Sequence, residues 1–413
     1  MKRSAIAAVP GRLDFMGGVA DYSGSLVLQL PIRAMTRVGV SRIGEKLLRL
    51  GSDGHGAWAT PSAPFRALLD SAADEADARG FLQDREAPPW ALYLLGCLWV
   101  FCRAKGWRPP AGLSFEVQSP VPEGMGVASS AALEVATLRA LGRLAGAKFE
   151  GTELARLGQQ AENQIVGAPC GLMDQLAADH GRAGSLLPIV CRPDILRKPI
   201  PLPPGFAVIG WASGVKHAVA ASPYATARTA TFMGKRIFEE KTGRSWRHAA
   251  EITPSHFHKL ARAVLPESIS GRWFTKRYGA TADPLVVVSA KQTYNVRSAL
   301  RFPIEENFRC ELAESLFRGG GERLEDRMRQ AGELMLQSHA GYGALGLGSP
   351  ETDQMIDALN TLGPEQGIYG GRSSGGGSGG TVVVLLKKDA RGKLARLAKE
   401  VKFNDRPAPL IDG

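Results

Sequence analysis

Residues 1–120 alternate apolar and polar positions, which predicts strands joined by turns. The predicted strands are Ala5–Val9, Leu26–Ile32, two runs centred on Val38 and Leu48, and a run that places Leu113, Phe115 and Val117 on one face. The first strand ends at Pro10 and Gly11, so residues 11–25 are predicted to form a functional loop. Pro61–Pro89 is polar and rich in turn residues, which indicates an insertion with one weak helix.

From Trp90 onward many apolar residues take the spacing of helices. The predicted helices are Trp90–Cys102, a helix beginning at Ser129–Ser130, Thr152–Val166, a short helix near Asp174, a basic helix at Tyr224–Phe238 and most of Leu312–Met335. Trp90–Cys102 is apolar throughout, but it is shorter than the ~20 residues that a membrane span needs. We therefore predict a buried helix there and no membrane partner.

A break in the pattern divides the chain. Its 413 residues are enough for two domains, each with a core of its own. Pro201, Pro203 and Pro204 interrupt the pattern just before a new apolar strand. We place the boundary there and predict an N-terminal domain at residues 1–200 and a C-terminal domain at residues 201–413.

Composition and charge limit the function classes. Hydrophobic residues make up 44% and charged residues 22%, which argues against extensive disorder. The formal net charge is +11, but Lys and Arg are spread among acidic neighbours, so we expect an anionic small substrate and not nucleic acid. The five cysteines are scattered and odd in number, which predicts reduced thiols. The N-terminus lacks the pattern of a signal peptide, so we expect a cytoplasmic protein.

The loop before the helix at Ser129–Ser130 is a candidate anion site. Gly124, Gly126 and Ala128 let the backbone approach a ligand closely, and the free N–H groups at a helix start attract phosphate. A serine hydroxyl there can also bind the Mg²⁺ that accompanies a nucleoside triphosphate. An alternative stays open, in which the loop is an ordinary turn and a serine caps the helix.

Asp174 is the second candidate. Gly167, Pro169 and Gly171 predict a bend that leaves this acid near the start of a short helix. An acid set behind a rigid loop is typical of a functional group. An alternative stays open, in which the Asp174 carboxylate caps the helix N-terminus.

Three loops, in this order, carry a resemblance to a known family. "PGRLDFMGGVADYSGS", "VPEGMGVASSAALE" and "GGRSSGGGSGGTVVV" are similar to the three signature motifs of the GHMP kinase superfamily. Within it, "AENQIVGAPCGLMDQ" and "SGVKHAVAASPYATAR" resemble the galactokinase branch. "WALYLLG" and "FPIEENFR" extend the similarity to the L-arabinose kinases of that branch, over nearly the whole chain.

The resemblance implies an α+β fold with a ribosomal protein S5 domain 2-like N-terminal domain and a ferredoxin-like C-terminal domain. It implies phosphoryl transfer from ATP to the anomeric hydroxyl of a monosaccharide. The implied nucleotide-binding residues are Gly124, Met125, Gly126, Val127, Ala128, Ser129, Ser130 and Ala131. Ser130 and Glu162 would hold Mg²⁺. By pattern alone, Glu162 would be a surface carboxylate.

Asp174 matches the family's catalytic aspartate, and Arg12 matches the arginine that faces it across the acceptor hydroxyl. Such a pair suits phosphoryl transfer, because the reaction depends on placement and on positive charge near the transferring oxygens. Asp174 could act as a base or only orient the hydroxyl. Arg12 has an alternative too, as a structural arginine that fixes the turn at Gly11.

The sugar contacts implied by the resemblance begin in the first loop. They are Arg12, Gly18, Val19, Asp21, Tyr22, Asp174 and Tyr224. Gly18 and Val19 stand where galactokinases have a Glu and a His, and the Glu reaches the C6 hydroxyl of the sugar. L-Arabinose lacks that group, so L-arabinose is the expected acceptor and D-galactose the alternative. Taken singly, Asp21 could begin a turn and Tyr224 could belong to the core.

Other readings are weaker. A sugar and nucleotide sensor without activity would lack Arg12, Asp174 or a metal ligand, and these residues are present. A dinucleotide-binding oxidoreductase would need a glycine loop inside a βαβ unit followed by an acid that binds ribose. The chain departs from the family at Ala128, where many relatives have Ser, and in "RSSGGGSGG". We expect a monomer or a dimer.

Overall fold

The structure is a computed structural model that describes residues 2–192, 194–215, 223–377, 380–403, 406–407 and 409–413. The chain forms two compact units. The first unit contains Met1–Arg12, Ile32–Glu123 and Ala128–His180, and the second contains Leu13–Pro31, Gly124–Val127 and Gly181–Gly413. The boundary between residues 200 and 201 stays a prediction.

The strands, numbered in chain order, are β1 (Ser4–Met16), β2 (Leu26–Arg42), β3 (Leu47–Ser52), β4 (Gly56–Pro61), β5 (Leu113–Gln118), β6 (Ser185–Cys191), β7 (Asp194–Leu196), β8 (Ile200–Pro201), β9 (Phe206–Ala212), β10 (Ile269–Ser270), β11 (Thr293–Tyr294), β12 (Ile368–Ser373), β13 (Thr381–Lys387), β14 (Lys402–Phe403), β15 (Arg406–Pro407) and β16 (Leu410–Asp412).

The α-helices are α1 (Ser62–Asp70), α2 (Glu75–Gln83), α3 (Pro89–Lys105), α4 (Ser129–Ala145), α5 (Glu153–Gln160), α6 (Met173–His180), α7 (Pro223–Thr242), α8 (Pro254–Val264), α9 (Gly271–Tyr278), α10 (Val296–Arg318), α11 (Leu324–Ala344), α12 (Pro350–Leu362) and α13 (Arg391–Glu400). Gly18–Ser23 is a 3-10 helix, and Ala161–Val166 continues α5 as a π-helical turn. The mixture of sheets and helices agrees with the α+β class.

In the first unit, a sheet carries helices on its inner face. β3 pairs with β4 antiparallel and with β5 parallel, and the second half of β2 pairs antiparallel with β5. Helix α3 is buried continuously from Leu94 to Cys102 and packs against α4, as expected for a helix that is apolar all round. The predicted buried helix is therefore confirmed. None of the described helices is both long and apolar enough to cross a bilayer.

Two local predictions need correction. The first strand does not end at Pro10, because β1 continues to Met16 and places Arg12 within a strand. The backbone of Pro10 is compatible with an extended conformation, so the strand continues through it.

The segment Pro61–Pro89, which was predicted to hold one weak helix, holds two, α1 and α2. Asp74 caps α2 by accepting hydrogen bonds from the N–H groups of Ala76 and Asp77, a signal that sequence reasoning missed.

The second unit is built on a four-stranded sheet in the order β12, β13, β9, β16, with antiparallel pairing throughout. Thr381–Leu386 in β13 is buried on both faces, and helices α11 and α12 pack against this sheet. Helix α10 runs through Pro303, which has no N–H to donate to the carbonyl of Ala299. The hydroxyl of Thr231 lies 3.0 Å from that carbonyl and 2.9 Å from the carbonyl of Ala227, so its single proton is shared between the two.

Candidate active site

Helix α4 begins with an unusual backbone conformation. Ala128 precedes the helix with φ +58° and ψ +47°, a left-handed conformation that costs a residue with a Cβ ~1–2 kcal/mol. Among the described residues, no side chain caps this helix, so the reading of a serine as N-cap is wrong. Ser129 and Ser130 are instead the first two helical residues, where backbone N–H groups lack helical partners.

Arg12 and Asp174 form a close ion pair in the first unit. The Nε of Arg12 donates to Oδ1 of Asp174 at 2.9 Å, and its Nη2 donates to Oδ1 at 2.7 Å and to Oδ2 at 2.8 Å. Arg12 lies on β1 with 2% of its side chain exposed, whereas Asp174 lies in the first turn of α6 with 26% exposed. A charge-assisted pair of this kind is strong and orients both groups. The carboxylate stays accessible while the guanidinium is fixed behind it.

Glu162 is buried beside this pair. It lies in the π-helical turn that follows α5 with 7% exposure, so the reading as a surface carboxylate is wrong. Burial raises the pKa of Glu162, hydrogen bonds from Cys170 and Ser130 lower it, and the charge of Asp174 raises it further. The hydroxyl of Ser130 and the carboxylate of Glu162 therefore lie together, as the resemblance predicts for two metal ligands.

Glu134 is a member of this cluster that sequence reasoning missed. It lies on α4 and is fully buried, and the amide Nε2 of Gln175 donates to it at 3.0 Å and to Glu162 at 2.8 Å. Burial, followed by the charge of Glu162, raises the pKa of Glu134 well above its usual range. The sequence signal was a single acid inside the apolar run "AALEVATL" of α4. Gln175 thus fixes the orientation of both carboxylates.

A cavity of about 270 Å³ lies next to the helix start. Ser129 and Ser130 line it together with Trp90, Tyr93 and His55, all in the first unit. The rings of His55 and Trp90 are stacked, with centroids 6.0 Å apart and an angle of 14° between their planes. The volume of this cavity lies just below the range of ~300–1,000 Å³ that is usual for small-molecule sites. Its flat aromatic walls suit a planar ligand.

In the second unit, helix α10 holds both ends of the first signature loop. The N–H of Gly17 donates to Glu306 at 3.0 Å, and the N–H of Leu26 donates to Asn307 at 2.9 Å. The hydroxyl of Ser25 donates to the carbonyl of residue 303 at 3.2 Å. Glu306 and Asn307 belong to the motif "FPIEENFR", whose role could not be deduced from the sequence.

Asp21 lies in that loop with 6% exposure. Its Oδ1 accepts from the N–H of Tyr22 at 2.7 Å, and its carbonyl accepts from the N–H of Gly24 at 3.1 Å. The reading of Asp21 as a turn former is therefore correct. It does not conflict with sugar binding, because a carboxylate can accept several hydrogen bonds.

Aromatic rings form one side of the same loop. The rings of Tyr22 and Tyr224 meet edge to face, with centroids 5.9 Å apart, and the guanidinium of Arg228 lies 5.3 Å above Tyr22. Arg228 is itself buried and paired with Asp283, its Nε donating to Oδ2 at 2.6 Å. Tyr224 is half-buried, so it is not simply a core residue. The helix predicted to be basic therefore turns one of its arginines inward.

A buried charge network behind the loop was also missed. The Nη1 of Arg372 donates to the carboxylate of Asp14 at 3.0 Å and to its carbonyl at 2.9 Å, and both side chains are fully buried. Asp14 also accepts from the N–H of Gly18 at 3.1 Å and from Gln29 at 2.8 Å. The guanidinium of Arg372 lies 4.8 Å above the ring of Tyr342. Arg372 lies on β12, at the start of the segment "RSSGGGSGG" in which the chain departs from its family pattern.

The second and third signature loops touch within the second unit. The hydroxyl of Ser374 donates to the carbonyl of Gly126 at 2.8 Å. A Cβ on Gly126 would lie 2.7 Å from the carbonyl oxygen of Ser374, which explains why this position is glycine. Gly124–Val127 belong to this unit, whereas Ala128 and the serines belong to the first. Residues 216–222 of the galactokinase-like motif and residues 378–379 of the late glycine loop lie outside the described residues.

Comparisons with known proteins agree with this architecture. The family pattern described as GHMP kinases N terminal domain matches residues 93–182, and that described as GHMP kinases C terminal matches residues 312–401. The chain thus carries the two domains of the GHMP kinase fold. In these two segments the chain is similar to the GHMP kinases.

Two curated relatives are more than 30% identical to the chain over the segments that align. L-Arabinokinase of Arabidopsis thaliana is 31% identical over 89% of this chain and 41% of its own length. Galactokinase of Chloroflexus aggregans is 34% identical over 58% of this chain and 56% of its own length. The chain therefore spans about half the length of the curated relatives it matches.

Solved structures show the same fold. Lactococcus lactis galactokinase complexed with galactose superimposes with a TM-score of 0.78 at 19% identity, covering 100% of this chain and 93% of its own. A mevalonate kinase superimposes with a TM-score of 0.60 at 14% identity, covering 98% of this chain and 97% of its own. At these identities the likeness concerns the fold alone.

Proposed function

We propose that the chain is an ATP-dependent sugar 1-kinase that converts L-arabinose and ATP into L-arabinose 1-phosphate and ADP. The observation that carries the proposal is the ion pair between buried Arg12 and accessible Asp174, 2.7 Å apart. The likeness to L-arabinokinase over 89% of the chain supports the choice of acceptor. D-Galactose is the second candidate, because galactokinases are also among the relatives.

In the proposed reaction, Asp174 orients the anomeric hydroxyl and accepts its proton. The hydroxyl oxygen forms a bond to the γ-phosphorus of ATP while the bond from that phosphorus to the leaving oxygen of ADP breaks. Arg12 orients the Asp174 carboxylate and places positive charge near the transferring oxygens, where negative charge is spread in a loose transition state. Because Arg12 is fixed by burial, this charge is in place before the substrate binds.

Ser130 and Glu162 are the proposed Mg²⁺ ligands. Both offer oxygen atoms, which Mg²⁺ prefers, and their side chains lie close enough for Ser130 to affect the pKa of Glu162. Gln175 holds the Glu162 carboxylate in place, as outer partners of metal ligands commonly do. The residues therefore fit the ion. Bound Mg²⁺ would neutralise charge on the phosphates of ATP.

Nucleotide binding is assigned to the loop Gly124–Ala131 and to the cavity beside Ser129 and Ser130. The loop contributes backbone N–H groups for phosphate, and Trp90 and Tyr93 offer aromatic surface for the adenine ring. Sugar binding is assigned to Gly18, Val19, Asp21, Tyr22 and Tyr224, together with the ion pair. Besides ATP and Mg²⁺, these assignments require a monosaccharide as ligand.

The test is ADP release, measured by a coupled assay over a panel of pentoses and hexoses with Mg-ATP. We expect kcat/KM for L-arabinose to exceed that for every hexose. Brisk turnover of D-galactose with none of L-arabinose would replace the proposal by a galactokinase. Binding of Mg-ATP without turnover of any sugar would favour a sensor. The Asp174→Asn variant serves as the blank for contaminating kinases.

A further inference from the structure

Tyr342 occupies the space in front of Gly18. Gly18 has φ +51°, and a Cβ built on it would overlap the hydroxyl oxygen of Tyr342 and lie 2.8 Å from the ring carbon that bears it. The same Cβ would lie 2.8 Å from Nη2 of Arg372. These contacts leave no room for any side chain at position 18. A tyrosine at position 342 in this orientation therefore requires a glycine at position 18.

The hydroxyl of Tyr342 is fully engaged by the protein. It accepts from the N–H of Val19 at 3.0 Å and donates to the carbonyl of Gly375 at 2.7 Å. A phenol has a single proton to donate, so Tyr342 has none left for a ligand. Its burial raises its pKa, which keeps the group neutral.

Tyr342 is also fixed in place. Its side chain is fully buried, and the ring of Phe302 meets it edge to face with centroids 5.4 Å apart. It belongs to a small apolar cluster that includes Val19, Ala227 and Leu347. The protein thus presents an immobile apolar surface behind the first residues of the loop.

We propose that Tyr342 is a specificity-determining residue that selects a pentose over the corresponding hexose. The proposal rests on the proposed function, which assigns Gly18 and Val19 to the sugar site. Gly18 carries no side chain, Val19 is apolar and the Tyr342 hydroxyl is engaged, so none of these three residues offers a polar partner to an exocyclic hydroxymethyl group. Arg372, whose Nη2 lies near Gly18, is fully buried against the Tyr342 ring. With Tyr342 in place, a hexose would bury its extra hydroxyl unpaired, whereas a pentopyranose has none to bury.

The test is the ratio of kcat/KM for L-arabinose to kcat/KM for D-galactose in wild-type protein and in Tyr342→Leu. The shorter side chain opens space and releases the N–H of Val19, so we expect the ratio to fall roughly tenfold or more. Tyr294→Leu is the matched control. Tyr294 is a buried tyrosine of the same unit whose hydroxyl accepts a backbone N–H at 3.0 Å, and it lies in a different core cluster.

A merely structural role would lower turnover of both sugars equally, so the ratio separates the two explanations. An unchanged ratio in folded Tyr342→Leu overturns the proposal. Should that variant not fold, Tyr342→Phe keeps the ring and removes only the hydroxyl. Its ratio must then fall several-fold, and an unchanged ratio overturns the proposal as well.

The wild-type measurement distinguishes failure of the proposed function from failure of this inference. Wild-type protein that prefers D-galactose contradicts the proposed function, and the inference falls with it. Wild-type protein that prefers L-arabinose, combined with a ratio that neither Tyr342 variant changes, contradicts the inference alone.

Discussion

Arg12 donates hydrogen bonds to Asp174 from two nitrogen atoms, Nε and Nη2, at 2.7–2.9 Å. Arg12 lies on a strand, whereas Asp174 lies at the start of a helix. The partners are 162 positions apart in sequence. Two rigid elements therefore fix the pair, and small changes in loops should not loosen it. This makes the chemistry at Asp174 open to a clean test.

Asp174→Asn should reduce kcat for the best sugar by roughly 10²- to 10⁴-fold. The amide keeps the shape of the carboxylate but cannot take the proton, and it no longer attracts the charge of Arg12. Binding of Mg-ATP, measured by calorimetry, should change little. Near-normal turnover would contradict the assigned role.

Asp179→Asn is the matched control for that variant. Asp179 lies on the same helix and is paired with Arg139, whose Nη2 lies 2.6 Å from its Oδ1, but it has no role in the proposed reaction. We expect kcat of the folded protein to stay within about twofold of the wild type, because the pair of Asp179 and Arg139 takes no part in the proposed reaction and its loss lowers stability instead. Equal losses in the two variants would point to a structural effect of the helix.

Glu162→Gln should raise the Mg²⁺ concentration needed for half-maximal activity roughly tenfold or more. The substitution keeps the hydrogen-bonding shape of the side chain but removes its charge, and a neutral amide is a poor ligand for a hard cation. Glu153→Gln is the control, because Glu153 lies on the helix just before and pairs with Lys105 instead. The readout is a Mg²⁺ titration at fixed ATP.

Some of the site followed from the sequence alone. The motifs assign four residues, Arg12, Ser130, Glu162 and Asp174, and the structure places all of them in one unit. Arg12 forms an ion pair with Asp174, and Ser130 lies near Glu162. Their roles stay predictions. Local patterns also predicted α3, because a helix that is apolar on every face can be stable only when buried.

The supporting residues could not be deduced, because their partners are distant in sequence. Arg372 meets Asp14 across 358 positions, and Val19 meets Tyr342 across 323. From sequence, Gly18 and Val19 appeared to decide the sugar by themselves. The structure adds that position 18 cannot take a larger residue while Tyr342 stays, so an acid introduced there needs a second change.

Gly126→Ala should weaken ATP binding and lower stability together. The new Cβ would lie 2.7 Å from the carbonyl of Ser374, and φ of +69° adds ~1–2 kcal/mol of strain. We expect KM for ATP to rise about tenfold, measured at saturating sugar, because the loop must shift to relieve a cost of this order.

Gly146→Ala separates the two effects. Gly146 has φ +74°, but a Cβ there would meet no atom of the described residues within 4 Å. It should therefore show the backbone strain alone, seen as a lower Tm with an unchanged KM for ATP. A similar rise of KM in both variants would mean that the collision at Gly126 is not what matters.

Arg372→Met should strongly destabilise the second unit. It leaves the buried carboxylate of Asp14 without its cation, a loss that typically costs about 3–5 kcal/mol. Arg391→Met removes an exposed partner of Asp412 and should cost at most ~1 kcal/mol. Urea unfolding followed by circular dichroism gives both values. Adding Asp14→Asn to Arg372→Met should restore part of the lost stability, because the uncompensated charge then disappears. A double variant less stable than Arg372→Met would show that Asp14 acts through its other hydrogen bonds and not through its charge.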